Sequence, residues 1–113
     1  MQSYRDLDVY QRASALFPRI YKIVRSWKTI DQQELGSQLI RSANSIHANI
    51  AEGLGKSKQD ARRYLGIALG SSDETASHLK DALNVGLIDE VTAQELISAY
   101  EIVGKQLNKL RQK

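Results

Sequence analysis

Four segments of the chain carry apolar residues at every third or fourth position, which is the spacing that lines one face of an α-helix. No window alternates apolar and polar residues long enough to predict a strand. The only proline, Pro18, lies in the first segment, where we expect a kink without a break. Short connections favour antiparallel neighbours. The sequence therefore predicts an all-α, up-down-up-down antiparallel four-helix bundle forming a single domain over residues 1–113. The helical segments cover about residues 8–27, 32–52, 57–83 and 93–110.

Glycines and capping residues mark the predicted helix ends. Gly53 and Gly55 follow the second segment, and glycine reaches the left-handed conformation that closes a helix at little steric cost. Ser57 is predicted to cap the third helix, and Asp89 or Thr92 the fourth.

Composition excludes several classes of function. The chain has no cysteine, so disulfides and thiolate metal sites are excluded, and the composition is typical of a reducing cytoplasm. Charges interrupt every apolar run, and the N-terminus lacks the order of a signal peptide, so we expect a cytoplasmic protein without a membrane span. His47 and His78 show no metal-ligand spacing, and the glycines near Lys56 fail the spacing of a phosphate-binding loop. We expect no enzymatic activity, metal or cofactor.

Some large apolar residues fall outside the core stripes of their helices. Ile40, Ile67 and Ile102 each project away from the main apolar face of a different helix. A second apolar surface on a small bundle is typical of a subunit interface. These residues are therefore candidates for a homo-oligomer interface.

Several polar residues are predicted to meet across the turn near Gly55. Antiparallel packing places Arg41 roughly level with Glu74, so that an ion pair is within reach, and brings other polar side chains of the two helices near each other. We interpret this set as a structural network that fixes helix register. The alternative is a catalytic acid-base site formed by Asn49, Glu52, Arg63 and Glu74. The predicted network contains Arg41, Asn49, Glu52, Arg63 and Glu74.

Positive charge is unevenly distributed along the chain. The net charge is +3, but residues 1–28 carry six basic and two acidic groups, and residues 56–64 carry four basic and one acidic group. A segregated basic surface is compatible with nucleic acid, whose phosphates attract Lys and Arg whatever the base sequence. The alternative interpretation is an ordinary solvated helix face.

Three sequence blocks resemble a known bacterial family. They are Y-R-D-L-D-V-Y-Q-R-A over residues 4–13, Q-L-I-R-S-A-N-S-I-H-A-N-I-A-E-G-L-G over residues 38–55, and R-Y-L-G-I-A-L-G-S-S-D-E over residues 63–74. Together they resemble the four-helix-bundle family encoded in intervening sequences of bacterial 23S ribosomal RNA genes. His47 stands where that family usually has proline, and Ala61 where it usually has an aromatic residue.

The resemblance carries expectations about assembly and partners. It implies a ring-like homopentamer with no established enzymatic activity. The accessory variability proteins of diversity-generating retroelements are a similar branch, and they imply binding to nucleic acid, RNA or an RNA-DNA hybrid, and to a reverse transcriptase through a basic surface. A protein-protein scaffold without nucleic-acid binding is the alternative. The candidate nucleic-acid contacts that follow from this resemblance are Arg12, Arg19, Lys22, Lys56, Lys58, Arg62 and Arg63.

Overall fold

The computed structural model describes residues 3–113, and it contains four helices preceded by a short 3-10 turn, Tyr4–Asp6. Helix α1 covers Asp8–Arg25, α3 covers Lys58–Asn84 and α4 covers Glu90–Arg111. Helix α2 extends over residues 29–53 in three consecutive stretches, Thr29–Asp31, Gln32–Gly36 and Ser37–Gly53. Residues 3–113 contain no strand, which confirms the predicted all-α four-helix bundle.

The predicted helix ends are largely confirmed. The Ser57 hydroxyl accepts a hydrogen bond from the amide of Asp60 at 3.2 Å and caps α3. A carboxylate oxygen of Asp89 accepts from the amide of Thr92 at 3.1 Å and caps α4. Hydrogen bonds from the side chain and then from the backbone of Thr92 lower the pKa of Asp89. Gly55 has a φ of +91°, a conformation that favours glycine, in the turn between α2 and α3.

The turn after α1 differs from the prediction. Helix α1 passes through Pro18 without a break and ends at Arg25, two residues before Trp27. The indole nitrogen of Trp27 donates to the carbonyl oxygen of Leu87 at 3.1 Å. This bond fastens the α1–α2 connection to the α3–α4 connection, so both lie at one end of the bundle.

Helix α2 begins earlier than predicted and includes a π-helical stretch, Gln32–Gly36. A Cβ atom on Gly36 would lie 2.5 Å from Cγ1 of the buried Val24. Glycine at this position therefore lets α1 and α2 approach more closely than any side chain would allow.

The core extends along the whole bundle, which measures 44 × 23 × 19 Å. Side-chain contacts pair α2 with α3, α3 with α4 and α1 with α2 in antiparallel order. The largest fully buried side chain is Tyr100 on α4, which is 1% exposed. Within residues 3–113, none of the helices has the length and apolar character needed to cross a membrane.

Candidate nucleic-acid interface

Basic side chains line a shallow groove at the end of the bundle where α2 turns into α3. Ser57 caps α3, whose first turns carry Lys58, Arg62 and Arg63. Because α4 runs antiparallel to α3, its last turn brings Arg111 to the same end, where its Nε donates to the carbonyl oxygen of Arg62 at 3.4 Å. The groove is lined by Lys58, Gln59, Arg62, Arg63 and Arg111.

The cations of this groove form no salt bridges among residues 3–113. Across residues 3–113, no carboxylate lies within 4.0 Å of its four charged groups. The guanidinium carbon of Arg63 lies 4.5 Å from the ring centroid of Tyr64, close enough for a cation-π contact. By contrast, Lys56 pairs with Glu52 at 3.6 Å beside the groove. The positive charge of the groove is therefore uncompensated.

The wider surroundings of the groove are also basic. We define the basic end as residues 3–12, 52–63 and 105–113, which contain ten Lys or Arg and four Asp or Glu, while the rest of the chain has six basic and nine acidic residues. An amide hydrogen bond of 2.7 Å from Gln106 to Asp8 joins the start of α1 to the end of α4. That bond, with a second from an arginine, lowers the pKa of Asp8. The basic end therefore carries net positive charge, whereas the rest of the chain carries net negative charge.

The predicted contacts on α1 divide into two groups. Arg12 pairs with Asp8 at 3.3 Å, and Arg19 pairs with Glu95 at 2.9 Å, so part of the charge of each arginine is matched. Lys22 has no carboxylate within 4.0 Å in the described part of the chain. It lines a separate groove on the second half of α1. The structure thus distributes the predicted basic contacts over two surfaces.

Small polar side chains fix the register between α2 and α3. The Thr75 hydroxyl donates to the carbonyl oxygen of Ser71 at 2.7 Å, and its oxygen lies 2.9 Å from the Ser42 hydroxyl across the interface. The Ser71 hydroxyl donates to that of Ser45 at 2.8 Å. The Asn49 amide donates to the same Ser45 hydroxyl at 2.9 Å. We call these five residues the hydroxyl ladder. Only Asn49 belongs to both the ladder and the predicted network.

The predicted network of charged residues is not formed among residues 3–113. Arg41 and Glu74 are exposed and do not pair, and Glu74 instead contacts His78 one turn later at 3.3 Å. Glu52 forms a salt bridge with Lys56, four residues later in the sequence, and Arg63 stacks on the ring of Tyr64. Glu74 lies sixteen residues along α3, about 24 Å from the start of that helix at 1.5 Å per residue, whereas Glu52 lies at the turn. The five residues therefore do not meet.

The three predicted interface isoleucines have different environments. Ile67 and Ile102 are 42% and 44% exposed, on α3 and α4 respectively. Ile40 is half-buried and packs against the core, because the side of α2 that it occupies is covered. Two of the three residues are therefore available on the surface of the single chain.

The two histidines lie in unlike surroundings. His47 is packed between Tyr10 and Phe17, with ring centroids 6.1 and 5.6 Å away, and burial lowers its pKa. His78 contacts only Glu74 among the acidic residues within reach. No group of three His, Asp or Glu residues between positions 3 and 113 is arranged to hold a metal ion.

Arg111 is the basic residue of this groove that sequence reasoning missed. Its side chain packs over Gly66, where a Cβ would lie 3.3 Å from the guanidinium. A signal for it exists in the sequence, since α4 ends in Lys109 and Arg111 and an antiparallel bundle returns that end to the start of α3. Charge counted along single segments of the sequence does not show that the end of α4 and the start of α3 lie together.

These features define an all-α, four-helix-bundle protein with one strongly basic end. The family described as "23S rRNA-intervening sequence protein" matches residues 5–109. The chain therefore belongs to the 23S rRNA-intervening sequence protein family. A search of curated proteins finds no match.

A solved structure supports the same fold. The chain is similar to a crystal structure from Bacteroides thetaiotaomicron, described as a protein with unknown function from the S23 ribosomal protein family. The two are 25% identical and superimpose with a TM-score of 0.81. The match covers 93% of this chain and 99% of that chain.

Proposed function

We propose that this protein is a non-enzymatic, homo-oligomeric helical bundle that binds nucleic acid through its basic end. The proposed ligand is RNA or an RNA-DNA hybrid, bound mainly through phosphates. The proposed assembly is a pentamer, in a cytoplasmic setting, and a reverse transcriptase is its proposed protein partner. The absence of convergence among Asn49, Glu52, Arg63 and Glu74 favours the non-enzymatic interpretation.

One observation carries the proposal. The groove at the basic end holds the cationic groups of Lys58, Arg62, Arg63 and Arg111, and none has a carboxylate within 4.0 Å among the described residues. A concentration of unmatched cations attracts phosphate electrostatically and independently of sequence. Contacts to phosphates carry no information about base sequence, so we propose binding without base specificity.

Self-association rests on the exposed apolar side chains. Ile67 and Ile102 lie outside the core on adjacent helices, and burying the exposed two-fifths of each between subunits would contribute about 1 kcal/mol per side chain. A ring would place several basic ends side by side. Repetition of a weak phosphate site raises the apparent affinity for a long nucleic acid through effective concentration.

The test is binding of single- and double-stranded RNA and DNA, measured by fluorescence anisotropy from about 50 mM salt upwards. The double variant Lys58→Gln/Arg62→Gln should weaken binding of every probe. It should reduce the slope of log K against log salt by about 1.8 for duplexes and about 1.4 for single strands, because each phosphate contact contributes about 0.9 and about 0.7 respectively. Undetectable binding of every probe by the native protein at low salt would contradict the proposal.

The control variant is Arg41→Gln/Lys80→Gln, which removes the same charge from exposed positions outside the basic end. It should leave the salt slope unchanged. Native mass measurement on all three proteins reports the oligomeric state separately, and a monomer would remove the ring from the proposal.

A protein-protein scaffold is the second candidate function, and one observation favours it. Ile30, Val85 and Val91 are 67%, 68% and 77% exposed in or beside the two connections joined by Trp27 and Leu87. This apolar surface lies at the end opposite the groove. Two results together would favour the scaffold. The native protein would bind a protein partner but no nucleic acid, and Val91→Asp would lose the partner.

A further inference from the structure

A second groove lies on the outer side of α1, and it combines aromatic and basic side chains. Tyr21 is 46% exposed and stands beside Phe17, with ring centroids 6.1 Å apart. Pro18 leaves the surface between them without a long side chain. The groove is lined by Phe17, Pro18, Tyr21, Lys22, Arg25 and Ser26.

The charge of this groove favours an anionic occupant. No carboxylate in residues 3–113 lies within 4.0 Å of the Lys22 or Arg25 side chains, while the neighbouring Arg19 is matched by Glu95. An apolar floor with two unmatched cations at its edge suits a ligand that is both aromatic and negatively charged. Single-stranded nucleic acid has this chemistry, since unpaired bases stack on aromatic rings while phosphates contact Lys and Arg.

A row of rings connects this groove with the basic end. From Tyr21, the centroids follow at 6.1 Å to Phe17, 5.6 Å to His47, 6.1 Å to Tyr10 and 4.9 Å to Tyr4. The guanidinium of Arg5 lies 5.2 Å from the last ring. A strand that leaves the basic end along α1 therefore meets aromatic surface before it reaches the second groove.

We propose that the Tyr21 groove is a stacking site for unpaired bases and gives the protein a preference for single-stranded nucleic acid. This inference rests on the proposed nucleic-acid binding and specifies its substrate class. A duplex keeps its bases stacked on each other, so it can use the phosphate contacts of the basic end but cannot place a base on Tyr21. The groove therefore adds affinity for one class of probe only.

The experiment compares an oligouridine with an RNA duplex of equal length on the native protein, Tyr21→Ala and Tyr21→Phe. Tyr21→Ala should weaken oligouridine binding about fivefold or more, which is the range for loss of one base-aromatic stack, and leave duplex binding unchanged. Tyr21→Phe keeps the ring and should bind oligouridine as the native protein does. Val85→Ala is the control for removing an exposed apolar side chain at the end of the bundle opposite the basic end.

Salt dependence separates stacking from charge. Tyr21→Ala should leave the salt slope for oligouridine unchanged, whereas Lys22→Gln/Arg25→Gln should lower it by about 1.4, since each contact to a single strand contributes about 0.7. Equal oligouridine affinities for Tyr21→Ala and the native protein would overturn the inference while leaving the basic end intact. A change of oligomeric state in Tyr21→Ala would instead assign the groove to contacts between subunits. If the native protein bound neither oligouridine nor the duplex, both proposals would be wrong.

Discussion

The hydroxyl of Tyr100 lies in the core without a hydrogen-bond partner among the described residues, and its removal should stabilise the protein. A buried polar group left unsatisfied costs about 1–3 kcal/mol. Phenylalanine keeps the ring and leaves only a void of one oxygen atom, which costs a few tenths of a kcal/mol at about 24 cal/mol per Å³. Tyr100→Phe should therefore raise the free energy of unfolding by about 1–2 kcal/mol at neutral pH.

The difference in stability between Tyr100→Phe and the native protein should also depend on pH, which tests the same reasoning independently. Burial raises the pKa of Tyr100 well above its usual range, against a smaller opposing influence of Arg19. The unfolded tyrosine ionises near pH 10, whereas the folded one keeps its proton, so stability present below pH 10 is lost as the pH rises further. The advantage of Tyr100→Phe should accordingly widen by about 1.4 kcal/mol between pH 9 and pH 11.

Urea unfolding followed by circular dichroism measures both effects, at one fixed protomer concentration because an oligomer's stability depends on it. Tyr21→Phe, at an exposed position, should change neither value. A Tyr100→Phe protein less stable than the native one would refute the reasoning, since it would mean that the hydroxyl is hydrogen-bonded in solution. A gap that stays constant up to pH 11 would refute the raised pKa.

Two further predictions concern helix packing, and urea unfolding measures both. Thr75→Val removes a buried hydroxyl of the hydroxyl ladder and should lower the free energy of unfolding by about 1 kcal/mol. The matched control, Thr29→Val at an exposed position, should change it little. Equal effects of the two substitutions would contradict a role for the ladder. Gly36→Ala places a methyl group 2.5 Å from a stiff Val24 side chain and should cost about 1–3 kcal/mol. Gly70→Ala meets nothing within 4 Å on exposed helix and should stabilise by about 0.5–1 kcal/mol; a stabilising Gly36→Ala would contradict the close approach.

Much of the fold follows from local sequence rules. The three-and-four spacing of apolar residues identified all four helices. Capping chemistry predicted Ser57 as the cap of α3 and Asp89 or Thr92 as the cap of α4, and the structure has Ser57 and Asp89. The early part of α2 was not predictable in this way. Its π-helical stretch, Gln32–Gly36, ends at the residue that approaches Val24 of another helix closely, and that contact has no local sequence signal.

The site was less predictable because long charged side chains on a surface can adopt many conformations and contact several partners. Arg41 and Glu74 lie on neighbouring helices, yet both remain in solvent, where an ion pair contributes at most about 1 kcal/mol against the entropy of ordering both side chains. Short serine and threonine side chains have no such freedom once two helices approach closely. The hydroxyl ladder therefore fixes the register that sequence reasoning had assigned to charges.

The antiparallel arrangement also determines what produces the positive potential at the basic end. The starts of α1 and α3 and the ends of α2 and α4 lie there together, so the partial charges of the helix dipoles largely cancel. The field must then come from side chains, chiefly Lys58, Arg62, Arg63 and Arg111 around the groove. Since side-chain charges on a surface are screened over about 10 Å at 0.1 M salt, attraction of phosphate should act at short range and weaken steeply with added salt. A stacking contribution at Tyr21 is not screened in this way, so the ratio of the oligouridine affinities of the native protein and Tyr21→Ala should stay constant as the salt concentration rises.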